Sequence, residues 1–403
     1  MRDLNPLVAD VPPALSIYLN EVVYRLKRTG KDILVLSLGE AYFDIPEFSF
    51  SEIDFVRGYH YSESQGIPEL RAKLSNYYQE RYGISVSPQD FLVTAGSKAA
   101  IYLTILATAS PGSTVLIKEP AWLSYVEHVK LTGATPIMVP HDVSLSELMQ
   151  YADDTTVLAI VCNPNNPAGT VESEDDVRKL VDHAASAEVR LLFDEAYSEF
   201  LPKGDFHSAI AYDDARGVVS VASSLSKNMG ISGWLLGYVI AAEPLRSAIL
   251  NLNQHIITCA PTILQLYVTQ NFDALLEATL PQVQQVTQKR QLVRDQLAGI
   301  GLTAMPGDAT FYLFVSLADS PNSDLVIALW LLLTQGVAVV PGSAYGDSTG
   351  RFVRVSVGTE PVERIVEGLT KLAAAIATSV DLRAEAEAAA AEQSVALPAG
   401  WPG

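Results

Sequence analysis

Four short stretches of this 403-residue chain place reactive or ligand-binding side chains beside runs that read as buried strands. The first, CNPNNPAG at 162–169, follows the apolar run VLAIV. Its two Asn-Pro steps resist continuing a strand or a helix, so the chain turns and exposes amide side chains. Taken alone, an ordinary turn is the favoured explanation. The second, DEAYSEF at 194–200, sets Asp194 at the end of the run LLF. A carboxylate there is costly to desolvate without a partner, although the same residue could cap a following helix. In the third, SSLSKNMGISGW at 223–234, Lys227 follows Ser224 and Ser226 closely, in a segment otherwise poor in charge. A lysine held near apolar surroundings has a lowered pKa and can act as an amine nucleophile; a solvated one does not. The fourth is RFVRVSV at 351–357, where Arg354 interrupts an apolar run. Such an arginine needs an anionic partner, either a structural acid or a ligand carboxylate.

The elements that must position these groups are legible as alternating runs. Strand candidates are ILVLSLG (33–39), FLVT (91–94), TVLIK (114–118), TPIMV (135–139), VLAIVC (157–162), VRLLF (189–193), VVSVA (218–222) and GYVIA (237–241). Several are apolar at consecutive positions, as strands buried on both faces are. Helical spacing appears over 14–29 and 66–83, each ending at a glycine. Alternation of this kind predicts a mostly parallel sheet with helices on both faces, and functional residues at the strands' carboxyl ends. After residue 243 the pattern changes to long helical stretches. It then gives strand candidates FYLFVSL (311–317), VAVVP (337–341) and RFVRVSV, with helical segments at 323–334 and 360–378. That last region reads as a smaller α+β unit. The tail from about 380, Ala/Glu-rich and then Pro/Gly-rich, extends the last helix briefly and then frays.

Composition excludes several function classes. With 46 acidic against 27 basic residues the net charge is −19, and so negative a surface repels nucleic-acid backbones and anionic membranes. The two cysteines, Cys162 and Cys259, form neither a disulfide framework nor a clustered metal site. That points to a reducing compartment. The N-terminus has Asp and Pro where a signal peptide needs an apolar core, and the longest apolar run, Leu325 to Leu333, is too short to cross a bilayer. A cytoplasmic protein is the expectation. P-loop, dinucleotide, HExxH and GxSxG motifs are all missing.

In this order and spacing, Asn-Pro-x-Gly, Asp-x-x-Tyr, Ser-x-x-Lys and a late strand arginine resemble the aminotransferase class I/II family, pyridoxal-phosphate enzymes of fold type I. LSLGEAYFDIPEF (36–48), YSESQGIPELR (61–71), VTAGSKAA (93–100), PAWLSYVEHVKLTGA (120–134), DATFYLF (308–314) and VAVVPGSAYG (337–346) add to the likeness. The resemblance implies a large three-layer α/β domain with a mostly parallel sheet plus a smaller α+β domain. The boundaries expected are 1–45 (N-terminal arm and part of the small domain), 46–285 (large domain), 286–380 (small domain) and 381–403 (a mobile tail). It further implies pyridoxal 5'-phosphate bound as a Schiff base of Lys227, which also moves the substrate's Cα proton. Asp194 then pairs with the pyridinium nitrogen, Tyr197 and Asn166 with the phenolic oxygen, and Trp122 stacks on the ring. Phosphate contacts fall to Gly96, Ser97, Lys98, Ser224 and Ser226, and to Tyr61 from a neighbouring subunit of a homodimer. Arg354 grips the α-carboxylate of an amino-acid substrate, with Gly39 and Asn166 lining the same pocket.

Two departures from the family pattern bear on the reaction. GISGW is normally followed by a phosphate-binding arginine, and here Leu235 stands there. The loss of a charge-assisted contact worth about 1.5–3 kcal/mol weakens the cofactor grip. An enzyme that returns its cofactor to lysine in every cycle tolerates that better than a transaminase. Transfer of an amino group to a 2-oxo acid therefore leads, and β- or γ-elimination, replacement or cyclisation is the alternative. The second departure is His255, near the place where dicarboxylate-specific members carry a second arginine. It leaves His255 and Tyr59 as candidate specificity residues and argues against aspartate or glutamate as the preferred substrate.

Overall fold

The computed structural model describes residues 5–9, 11–201, 206–214, 216–318 and 320–402. Seven apolar runs become the strands β1 (Phe91–Thr94), β2 (Thr114–Lys118), β3 (Thr135–Val139), β4 (Thr156–Cys162), β5 (Arg190–Asp194), β6 (Val219–Ser224) and β7 (Gly237–Ile240). They form one sheet in the order β1-β7-β6-β5-β4-β2-β3. Every pairing is parallel except those of β7, which runs antiparallel to both neighbours. Consecutive apolar residues are needed because both faces are covered. In β5, Leu191 and Phe193 enter one core while Leu192, between them, enters another on the opposite face.

The helices used below are α1 (Leu15–Arg28), α2 (Pro68–Tyr82), α3 (Ser97–Thr108), α4 (Ser124–Lys130), α5 (Thr262–Leu297), α6 (Asp324–Trp330), α7 (Val362–Ala377) and α8 (Arg383–Glu392). Pro68 opens α2, and Gly83 at φ +69° closes it, so a ring with no N–H starts the helix and a left-handed residue stops it.

A second sheet holds β8 (Tyr312–Ser316), β9 (Val340–Pro341) and β10 (Phe352–Ser356) in the antiparallel order β9-β10-β8. Two of the expected strands are altered here. VAVVP divides: Val337 and Ala338 pair in parallel with Leu34 and Val35, whereas Val340 and Pro341 turn to pair with β10. The run ILVLSLG contributes just those two strand residues. Beyond them Leu36 is held singly, donating to Ala338 and accepting from Ser356. The N-terminal segment is thereby stitched to the C-terminal third, and Leu34 and Leu36 share a core with Val337, Val339, Val353 and Val355. The long apolar run Leu325–Leu333 is core as well, running through α6 into a wider turn. Among the described residues, no helix is long and apolar enough to cross a membrane.

The tail does not extend the last helix. The chain leaves α7, and Asn322 fastens the link on both sides, donating to the Val380 carbonyl and accepting from Leu382 N–H, each at 2.9 Å. A separate helix, α8, then packs through the buried Ala386 and Ala390.

Candidate active site

Strand order decides what meets at the sheet's carboxyl edge. β4, β5 and β6 are adjacent and parallel, with Cys162 opposite Asp194 and Asp194 opposite Ala222. The segments that follow them, carrying Asn166, Asp194–Tyr197 and Lys227, therefore emerge side by side. The 162–169 turn sorts its three asparagines. Asn163 accepts from Glu172 N–H (3.0 Å), and Asn165 donates to the Pro120 carbonyl (2.8 Å) and accepts from Ala168 N–H (3.0 Å). Those two hold the turn, and Asn166 is left to face Arg354.

Arg354 lies in the middle of β10 and is 4% exposed. Its Nη1 donates to Asn166 Oδ1 at 3.1 Å and its Nη2 to the Ser37 carbonyl at 2.7 Å. The guanidinium carbon sits 4.4 Å from the Tyr312 ring centroid and 5.4 Å from that of Tyr345. Its Nε has no hydrogen-bond partner among the described residues. Among the described residues no carboxylate pairs with it, so the structural-acid explanation fails.

Asp194 is buried and ends β5 without capping a helix. Its carboxylate accepts from the Tyr125 hydroxyl (2.6 Å) and from Ala196 N–H (3.2 Å). Burial raises its pKa, and those two hydrogen bonds oppose the rise. Tyr197 shares a 2.8 Å hydrogen bond with Tyr312, which places it against the arginine's aromatic floor.

Lys227 sits in the single turn Leu225–Asn228, whose start is capped by Ser224 accepting from Ser226 N–H (3.1 Å). Its Nζ is partly buried and donates to the Gly39 carbonyl at 2.6 Å. Burial lowers its pKa to about 8, with Glu40 and Asp194 pulling the other way. This is no solvated surface lysine.

The start of α3 forms a separate cradle. Gly96, at φ +81°, precedes it without any side-chain cap. Gly237 of β7 permits the close approach: a Cβ there would lie 2.4 Å from Ser97 N and 2.6 Å from Gly96 C. Gly237→Ala is accordingly expected to displace the helix start at a cost of about 1–3 kcal/mol in urea unfolding. Leu235 abuts Gly96, is 59% exposed and holds φ +53°. Lys98 places Nζ 5.0 Å from the Trp122 ring centroid, and Trp122 stands edge-on to Tyr125. Burial lowers the Lys98 pKa.

Three of the expected residues are not gathered with these. Tyr61 (85% exposed), Tyr59 and His255 stand at the surface. Their segments are joined by Asn253 donating to the Ser64 carbonyl (2.8 Å) and Gln265 to Ser62 Oγ (3.1 Å). Conversely, sequence reasoning passed over Tyr125, Tyr312, Tyr345 and Ser37. Tyr125, Tyr312 and Tyr345 lie inside stretches that carry the family likeness, but no spacing rule marks an aromatic hydroxyl as the partner of an acid sixty-nine residues away.

The family model for aminotransferase class I and II matches residues 32–369. The chain belongs to that family. It is 27% identical to the aspartate aminotransferase of Thermotoga maritima over 374 residues, covering 91% of this chain and 97% of that one. It is also 27% identical to the (5-formylfuran-3-yl)methyl phosphate transaminase of Methanocaldococcus jannaschii over 352 residues, covering 86% and 92%. Among solved structures it resembles the aspartate aminotransferase of Thermus thermophilus with maleate. There the TM-score is 0.83 at 25% identity, covering 93% of this chain and all of that one. The aminotransferase thus has the α/β architecture of fold type I, and it is a transferase by family.

Proposed function

We propose that this aminotransferase binds pyridoxal 5'-phosphate at Lys227 and transfers the amino group of an α-amino acid to a 2-oxo acid. The observation that carries this reading is the Lys227 amine, partly buried, lowered to about 8 and held by a carbonyl oxygen. Such an amine gains and loses a proton near neutral pH, as a group that attaches an aldehyde and then moves a proton must.

The residues present suit the cofactor. The uncapped first turn of α3 offers the backbone N–H of Ser97 to a phosphate, with the Ser224 and Ser226 hydroxyls and Lys98 as further donors; the Gly96 N–H is taken by the Thr94 carbonyl (2.8 Å), so Gly96 serves by its shape. Asp194, braced by Tyr125, suits a protonated ring nitrogen. Asn166 accepts from Arg354 through Oδ1, which leaves its Nδ2 as a donor to the ring's phenolic oxygen beside Tyr197. Trp122 suits a ring face. When bound, the cofactor supplies an aldehyde for the substrate's amino group and a ring that takes up carbanion charge. Lys227 Nζ, held by the Gly39 carbonyl, would take up and hold the proton from the substrate's Cα. Arg354, aligned by Asn166 and Ser37, holds the α-carboxylate by two parallel N–H groups. The tyrosine floor beneath the guanidinium excludes water from that contact.

A homodimer accords with the exposed apolar side chains Phe50, Phe55, Val56, Tyr59, Leu235 and Ile256. Tyr61 would then reach the phosphate of a neighbouring subunit, and Tyr59 and His255 would meet its substrate. Both described cysteines are free, in keeping with a cytoplasmic setting.

With pyridoxal phosphate added, the protein should turn yellow, and borohydride should fix the cofactor on Lys227, read by peptide mass. Incubation with single amino acids and no oxo acid should discharge the colour and release one equivalent of 2-oxo acid. A chain that stays colourless refutes the reading. Leu235 favours a second one, elimination or replacement: exposed beside Gly96, it brings no charge to the phosphate cradle. Release of ammonia or thiol with the yellow colour retained would select it. Leu235→Arg should tighten cofactor binding by about 10- to 150-fold in equilibrium dialysis, the equivalent of a charge-assisted hydrogen bond of about 1.5–3 kcal/mol.

A further inference from the structure

A cavity of about 850 Å³ lies between α4, the N-terminal arm ahead of and into α1, and residues 396–399 of the tail. It adjoins the site through two of its lining residues. One is Trp122; the other is Tyr345, whose ring faces the Arg354 guanidinium. Tyr345 is a fixed wall, since its carbonyl accepts from Ala121 N–H (2.8 Å). Its loop is pinned by Glu119, which accepts from Asp347 N–H (2.7 Å) and Ser348 N–H (2.9 Å).

The lining is mainly apolar, with Val11, Leu15, Val126, Leu131, Met138 and Leu397 among its members. The charges on it do not suit a distal carboxylate. Lys130 is paired with Glu127 at 3.1 Å, and Asp347 adds a second acid. Two other lining residues, Tyr345 and His128, carry buried polar atoms, Oη and Nδ1, that have no hydrogen-bond partner among the described residues. Burial, with Lys98 nearby, lowers the His128 pKa to about 4, so this ring adds no positive charge at neutral pH.

The tail wall is built by long-range contacts beyond the last residue of the family match, 369. Tyr18 of α1 donates to the Ala396 carbonyl, and Arg25 donates to that of Ser394 at 3.1 Å. Gln393 donates to the Leu333 carbonyl (3.1 Å), Trp401 to Glu387 (2.9 Å), and Val395 is buried. The segment around Leu397 is thereby clamped over the cavity by the arm that forms its opposite wall.

We propose that this cavity receives the side chain of the amino-acid substrate, that the side chain is large, neutral and mainly apolar, and that the tail is the wall that selects it. The assignment rests on Arg354 holding the α-carboxylate, as proposed above. It separates this chain from its relatives named for aspartate.

Carboxylates without an amino group test it, because their binding requires no turnover. Isothermal titration of the cofactor-loaded protein should show 3-phenylpropionate bound at least about tenfold more tightly than propionate, with succinate no tighter than propionate. Leu397→Trp, which fills the cavity from the tail, should bring 3-phenylpropionate to within about threefold of propionate and leave propionate unchanged. Val11→Trp fills it from the arm, so a failure of one variant to fold does not decide the matter. Equal binding of the two monocarboxylates, preference for succinate, or unchanged discrimination in both filled variants overturns the proposal. A protein that discriminates as expected but transfers no amino group refutes the proposed function and retains the cavity. One that transfers amino groups without discriminating refutes the cavity alone. If no cofactor is taken up, the same titrations on the cofactor-free protein decide the cavity.

Discussion

Lys227→Ala should lower amino transfer by about 10⁴-fold, the loss expected when both the attachment point and the positioned base are removed. The fold should survive, because the amine's hydrogen bond is to a loop carbonyl and its charged form is costly where it lies. Single-turnover absorbance with a reactive amino acid measures the rate, and circular dichroism shows that the chain remains folded. A variant that keeps more than a tenth of the activity would remove Lys227 from the chemistry.

The same residue carries a pH signature in the cofactor-free protein. Its folded pKa, about 8, lies below the ordinary 10.5. Between those values the unfolded chain binds more protons, so this group's contribution to stability rises with pH from about 8 to 10.5. Below 8 the amine is charged in both states, and its burial is a standing cost. Lys227→Met, close in volume, should therefore be more stable than the parent below pH 8, with the gap closing towards pH 10.5. Urea unfolding of both proteins across that range isolates the effect, since their other titrating groups are shared. A constant gap would mean that the amine is not desolvated.

Arg354→Met should reduce kcat/KM by about 30- to 5,000-fold, the range expected when one partner of a desolvated charge pair is removed, about 2–5 kcal/mol. Its effect on stability should be small by comparison. Among the described residues the variant strands no buried carboxylate, because none there pairs with Arg354; it costs Asn166 and Ser37 one donor each and relieves the burial of a cation. Arg354→Lys should not restore the rate, for a single ammonium cannot reproduce the two-pronged contact. If the melting temperature falls in step with kcat/KM, Arg354 is a structural residue.

Much of the fold was legible because burial leaves a local trace. Strands covered on both faces need apolar residues at consecutive positions, and VLAIVC, VRLLF and VVSVA show them. Arg354 was noticeable for the same reason, as a charge inside such a run. VAVVP misled because two strands of different sheets abut within it, and an apolar run carries no mark of its partner. The tail misled because its helix is Ala/Glu-rich, and its anchors are contacts to residues distant in the chain, among them Asn322, Trp330 and α1.

Within the site, local pattern could not choose among Asn163, Asn165 and Asn166, which share a residue type and a turn. Hydrogen bonds to Glu172 and Pro120 make that choice. Nor could it name Tyr125 as the brace of Asp194 or Tyr312 as the floor under Arg354.

The amino-acid sequence by itself determined the family, the alternation of strands and helices, and the chemical types available to a site, all of which follow from short-range pattern and collinear motifs. Tertiary structure alone decided that β4, β5 and β6 are neighbours, so that Asn166, Asp194 and Lys227 share one edge. It also decided that Arg354, 188 residues from Asn166, meets it with no acid beside it among the described residues, and that the arm before α1 and the segment after α8 line one cavity. Strand order and long-range contact are properties of packing: the free energy gained depends on which surfaces fit together, and no residue announces its distant partner.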